Sequence, residues 1–276
     1  MSPRAALPLL LIGLCACKPP EEDRMKAIVG AVLIDGLGGP PLSDSLVVVA
    51  GGRIRAAGPR SALSIPAGAE TLDGSGKFLA PAPIDVYPSA APAGVKARVT
   101  QLWKVDRAAL EAARDAGIRV IGHVSTQAEV SAFVDGGAVG FVGMIDDTEN
   151  LDPGLLRRLR DLRIFFAPAL VTQGSALEIA KRNTRRLFSA GVPIAVASNG
   201  GDPAREPELL VDAGIPPLDA IVAATSTSAS ALGWNDTGAI EAGKRADLLL
   251  LSANPGEDIR NLRQVVRRMS GGEWVK

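Results

Sequence analysis

The stretch Gly76-Lys77-Phe78-Leu79-Ala80-Pro81-Ala82-Pro83-Ile84-Asp85-Val86-Tyr87-Pro88-Ser89 separates two textures of chain. Before it, short β-prone runs alternate with turn clusters: residues 26–34, 46–50, 53–58 and 70–73, broken by 35–41 and by Gly51-Gly52. Such spacing predicts a small antiparallel sheet or sandwich. After it, strands alternate with amphipathic helices, which predicts βα units around a parallel sheet.

In the second texture, Val105, Ala108, Ala109, Ala112 and Ala113 fall at helical spacing and predict a helix over 105–116. Strands are expected at 82–86, 99–103, 118–123, 139–142, 164–167 and 192–197. Further helices are expected at 128–134, 153–162, 176–190, 217–224 and 228–232. The last part returns to strand texture at 246–251, 265–269 and 273–275. One β-sandwich built by both chain ends (25–80 and 236–276) therefore brackets an α/β unit at 81–235.

Thirty basic and thirty acidic residues balance, and no basic stripe with interleaved aromatics appears, so nucleic acid is not an expected partner. Both cysteines lie in the first seventeen residues. Arg4 and the apolar run 5–14 have the architecture of a signal peptide, with an apolar segment too short for a stable transmembrane helix. Leu14-Cys15-Ala16-Cys17 resembles a bacterial lipobox, which implies a signal over 1–16, lipidation at Cys17 and a tether over 17–24. The resemblance implies a lipid anchor in the bacterial cell envelope, and Lys18 after the cysteine favours the outer over the inner membrane. An ordinary secretory signal is the simpler alternative. A mature chain beginning at a lipidated Cys17 has no free thiol for metal binding or nucleophilic attack.

Gly238-Ala239-Ile240-Glu241-Ala242-Gly243-Lys244-Arg245-Ala246-Asp247-Leu248 closely resembles a signature of the amidohydrolase superfamily, in its imidazolonepropionase-like and prolidase-like branch. The run into Asp85, the segment Gly30–Gly36 and the Gly51-Gly52-Arg53-Ile54 turn resemble the same family. The resemblance implies a TIM-like barrel and hydrolysis of C–N bonds at a divalent metal such as zinc. Family members hold that metal with two histidines on the first strand, often a lysine, two further histidines and an aspartate. Here Tyr87 and Ser89 stand at the first pair, Lys104 at the lysine, His123 at one later histidine, Gly143 at the other and Asn199 at the aspartate. His123 is the single histidine of the chain. Serine is a poor neutral zinc ligand, glycine offers none, and a neutral amide accepts no proton from an attacking water.

Residues 81–235 supply about 155 positions, against ~250 in an ordinary eight-unit barrel. The fold expected is therefore α/β, with a shortened or incomplete TIM-like barrel lacking units between Tyr87 and Val99. A partly closed barrel, a partner subunit and cover by the 88–98 loop are the alternatives for the open edges.

The functional expectation is a degenerate, non-catalytic relative without a cofactor, binding a small molecule or an envelope protein. Tyr87, Ser89, His123, Ser198 and Asn199 are the pocket candidates, and Lys104, His123 and Asn199 are vestigial catalytic positions. The alternatives are an active hydrolase of non-peptide or dipeptide C–N bonds with an atypical metal site, and a structural envelope component. For the active alternative, Asp146 and Asp147 are the carboxylates to recruit, although their place after a strand reads as turn or helix capping. Ser125 beside His123 lacks the elbow of a nucleophilic serine. Self-association remains open.

Overall fold

Glycine turns separate the apolar runs of the N-terminal part, and the computed structural model describes residues 25–87 and 98–275. Cys17, the 17–24 tether, Ser89 and most of the 88–98 loop lie outside the described residues. The run expected as one strand divides into β1 (Lys26–Val29) and β2 (Val32–Leu33). Gly30 between them takes φ +82° and passes the chain from one sheet to another. β3 (Ser45–Ala50) and β4 (Arg53–Pro59) form a hairpin whose turn residues, Gly51 and Gly52, both have positive φ. Two-residue turns of this hand demand that conformation, which glycine adopts without strain. β5 (Glu70–Asp73) pairs parallel with β1 and completes a sheet ordered β4-β3-β1-β5. β6 (Phe78–Pro81) belongs to the facing sheet.

The α/β unit follows with β7 (Val99–Leu102), α1 (Arg107–Asp115), β8 (Arg119–His123), α2 (Gln127–Asp135), β9 (Gly140–Val142), α3 (Pro153–Asp161), β10 (Phe165–Ala167) and α4 (Leu177–Ser189). Local chemistry starts these helices. Asp106 accepts from the Ala109 amide, Thr126 and Glu129 form a capping box, and Asp152 caps α3 with Pro153 in its first turn. The strands are parallel and ordered β10-β9-β8-β7.

Two expected strands are reduced. Residues 192–197 flank β10 through one bridge, Phe166 to Ile194. Residues 82–86 form no ladder: the Ile84 amide donates to Ala224 O and the Val86 amide to Val196 O. Pro83 carries no amide donor, which breaks the regular pattern. On the other side, the Gln101 side chain of β7 donates to Val86 O at 3.3 Å. Six segments thus follow one another around an incomplete barrel. Among the described residues, no strand ladder joins 84–86 to β7.

Alternation sorts the side chains. Ile121, Val142, Phe165, Ala167, Ala195 and Val86 pack together inside. Val120, Phe141, Phe166 and Val196 pack against the helices. Ala167, Ala169, Ala195 and Ala197 share this interior with larger side chains, and a Cβ on Gly140 would collide with the Phe165 ring. Fewer strands enclose a narrower space, which small residues fit. α5 (Glu206–Asp212), α6 (Pro217–Val222) and α7 (Ser228–Ala231) follow, with a π-helical turn, Ala223–Thr227, between the last two.

β11 (Leu248–Leu251), β12 (Val265–Ser270) and β13 (Glu273–Val275) return to the sandwich, giving a sheet ordered β13-β12-β11-β6-β2. The four leucines of β11 serve two cores. Leu248 and Leu250 enter the sandwich with Ile28, Val47 and Met269, while Leu249 and Leu251 join the barrel's outer layer. Asp247 holds the chain end in place, accepting from the Gly271 amide at 2.8 Å and from Arg245 Nε at 2.8 Å. The signature around Asp247 is thus a structural tie between the chain ends.

Candidate functional site

The register of β7 and β8 decides what meets at the C-terminal ends of the strands. Leu102 pairs with Gly122, so the next residues, Trp103 and His123, fall opposite each other. Their rings stack with centroids 3.6 Å apart and planes 13° apart. Tyr87 stands edge-on to both, 6.2 Å from Trp103 and 5.7 Å from His123. His123 is buried, whereas Trp103 is 64% exposed and leaves its outer face open to solvent.

Gln101 orients the imidazole. Its Oε1 lies 2.8 Å from His123 Nε2, while its Nε2 donates to Val86 O. An amide so oriented offers its oxygen as the acceptor, which makes His123 the donor through Nε2–H. Nδ1 is then the nitrogen left to take a proton. Burial among rings disfavours the cation and holds the His123 pKa below its ordinary 6.5.

Asp85 brackets the mouth. Its Oδ1 accepts from the Tyr87 amide at 2.8 Å and from the Ser198 amide at 3.0 Å. This ties Ser198, itself buried, to the segment carrying Tyr87. Asn199 takes φ +45°, a conformation asparagine tolerates, and its Nδ2 reaches Thr172 Oγ1 at 3.5 Å. The structure therefore joins Tyr87 with His123 directly, links Ser198 through Asp85, and directs Asn199 to the loop after β10. Lys104 is exposed just beyond β7. Ser125 Oγ faces Glu129 Oε2 at 3.4 Å. Asp147 Oδ1 accepts from the first amide of α2, as its capping reading anticipates. Asp146 has its pKa raised by burial and by Asp147.

Gly143 has a conformation as well as a missing side chain. Its φ is +99°, its amide donates to Ala167 O, and a Cβ there would collide with Val124 O. No histidine fits this backbone.

Three residues escaped the sequence reading. Gln101 and Trp103 share a strand face at period two, a signal present but not specific. Glu206 lies in the polar run Arg205-Glu206-Pro207-Glu208, where nothing marks it as internal. It is completely buried, and its two oxygens accept from the Leu170 and Val171 amides at 2.8 and 2.9 Å. Burial pushes its pKa up to about 7 against those two bonds, with the charge of Asp85 adding to the rise.

A hydrolytic metal requires several ligands around one open position. Among the described residues, no group of three histidine, cysteine or carboxylate side chains converges. His123 faces an amide and two rings, and the oxygens of Glu206 are occupied by backbone donors. The described residues at the mouth do not fit the metal of the hydrolases.

Comparison with known proteins bears on fold and ancestry. The model of the family described as "Amidohydrolase family" matches residues 105–275. A putative prolidase from Bifidobacterium longum superposes with a TM-score of 0.76 at 22% identity, covering 91% of this chain and 94% of that one. Ochratoxinase from A. niger superposes with a TM-score of 0.78 at 15% identity, covering 93% and 96%. A Xaa-Pro dipeptidase with bound methionine in its active site gives 0.75 at 15% identity, covering 91% and 100%. No curated protein matches the chain.

Proposed function

We propose, from the premise that this chain belongs to the amidohydrolase family, that its barrel mouth binds a small molecule without hydrolysing it. The supporting observation is the open face of Trp103, stacked on His123 and flanked by Tyr87 where the family places metal ligands. An indole with one face covered and one face free offers a flat surface to an apolar or aromatic group. Tyr87 stands edge-on beside it, and Asp85 ties Ser198 to the same segment. Binding of this kind needs neither a metal nor a general base.

The experiment is a metal assay joined to a ligand screen on the purified protein. Substoichiometric zinc, iron and manganese, with a thermal shift from at least one flat ligand lost in Trp103→Ala, is the expected result. Stoichiometric metal abolished by His123→Ala overturns the reading.

One observation favours hydrolysis of C–N bonds instead. Glu206, with its pKa near 7 beside Asp85, has the titration of an acid–base group. Its burial and its two backbone partners oppose that role. Turnover of dipeptides or phenylureas that is abolished by Glu206→Gln supports hydrolysis.

The lipobox-like Leu14-Cys15-Ala16-Cys17 supports a lipid anchor and an address at the bacterial envelope, with Lys18 favouring the outer membrane. Metabolic labelling with a fatty-acid analogue, lost in Cys17→Ser, is the expected outcome.

A further inference from the structure

At the opposite end of the strands, the N-terminal end, a cavity of about 730 Å³ opens between the starts of β8, β9 and β10 and the turn before α7. Its volume lies within the range of small-molecule pockets. Arg119 and Arg163 line it, with the hydroxyl-bearing Thr227 and Ser230, and among the described residues no carboxylate does. Its other wall is apolar, formed by Leu162, Phe165 and Pro193 among others.

Arg119 carries the argument. Its Nη2 donates to Ser230 O and Ala231 O at 3.2 and 3.3 Å, holding the guanidinium against the end of α7. Its Nε is buried and has no hydrogen-bond partner. The guanidinium makes no ion pair with a carboxylate among the described residues, and a negatively charged group in the cavity gains from its charge and from that of Arg163. Arg163 supplies a second positive charge at the rim, and Leu162 beside it is 58% exposed. Arg119 and His123 bound the same five-residue strand. At strand rise they are roughly 13 Å apart, so this cavity is distinct from the mouth.

We propose that this cavity binds a small organic anion, with a carboxylate or phosphate head on Arg119 and Arg163 and an apolar body against Leu162, Phe165 and Pro193. Titration calorimetry of the full-length protein with hexanoate, hexyl phosphate and inorganic phosphate tests it. Saturable binding of an alkyl probe, at least tenfold tighter than inorganic phosphate, is expected. Arg119→Gln lowers the affinity at least tenfold and Arg163→Gln at least threefold, while His123→Ala leaves it within twofold. Which alkyl probe binds identifies the head group. If Arg119→Gln does not fold, Arg163→Gln and Thr227→Val decide by the same measurement. No saturation with either alkyl probe, or an affinity unchanged in the arginine variants that fold, overturns the proposal.

Discussion

Gln101 and His123 face each other across β7 and β8, with Oε1 of the amide 2.8 Å from Nε2 of the imidazole. Because the same amide donates to Val86 O, the histidine is the donor and its other nitrogen the titrating one. His123 is the single histidine, so its nuclear magnetic resonance signals need no assignment. The expected result is an Nε2–H tautomer with a midpoint below 6.5. The sign of the linkage follows: the fold prefers the neutral ring, so this stabilisation is complete above pH 6.5 and is lost as pH falls below it. A midpoint at or above 6.5 sinks the account.

Trp103 covers His123 while remaining largely exposed itself. Removing it in Trp103→Ala costs little stability, about 1 kcal/mol or less, because little of the indole leaves water on folding. The same variant opens His123 to solvent and raises its midpoint towards 6.5. Urea melts and the histidine titration read the two effects separately.

Restoring a family-like histidine at position 143 fails on the backbone. Gly143→His combines a side chain at φ +99° with a collision against Val124 O. A loss of roughly 2–4 kcal/mol is expected in urea denaturation, with no gain in bound zinc by elemental analysis. A stable variant that gains stoichiometric zinc contradicts this.

Glu206 makes stability fall as pH rises. The folded state holds its proton up to about 7, whereas the unfolded chain releases it near 4.5. Between those values the native state binds more protons, so the free energy of unfolding declines by roughly 3 kcal/mol. In Glu206→Gln that decline flattens. The variant also starts lower by about 1–2 kcal/mol, since one amide oxygen replaces two acceptors for Leu170 and Val171. Equal pH slopes in the two proteins refute the assignment.

Asp247 fastens the C-terminal hairpin through Gly271 and Arg245. Asp247→Ala removes the acceptor of the half-buried Gly271 amide and one acceptor of Arg245, at a cost of about 1–2 kcal/mol. Hydrogen exchange should rise first in β12 and β13. Protection unchanged there would show that the carboxylate is not the fastening.

Local chemistry made much of the fold legible. Gly51-Gly52 and the alternation of strands with helices after residue 98 need only neighbours in sequence. The segment 82–86 was less legible. It reads as a strand from its apolar residues, yet its regularity depends on partners elsewhere and on a donor that Pro83 lacks. The altered positions Tyr87, Gly143 and Asn199 were visible as letters. That Gly143 cannot carry any side chain required the position of Val124 O.

The sequence by itself determined the sandwich shared by both chain ends and the shortened α/β unit. These follow from period, turn chemistry and residue identity, all properties of nearby residues. Only the tertiary structure decided that Gln101 and Trp103 capture His123, that Glu206 is internal, and that Arg119 and Arg163 line one cavity. Those outcomes depend on strand register and on burial by residues distant in the chain, which no local pattern encodes.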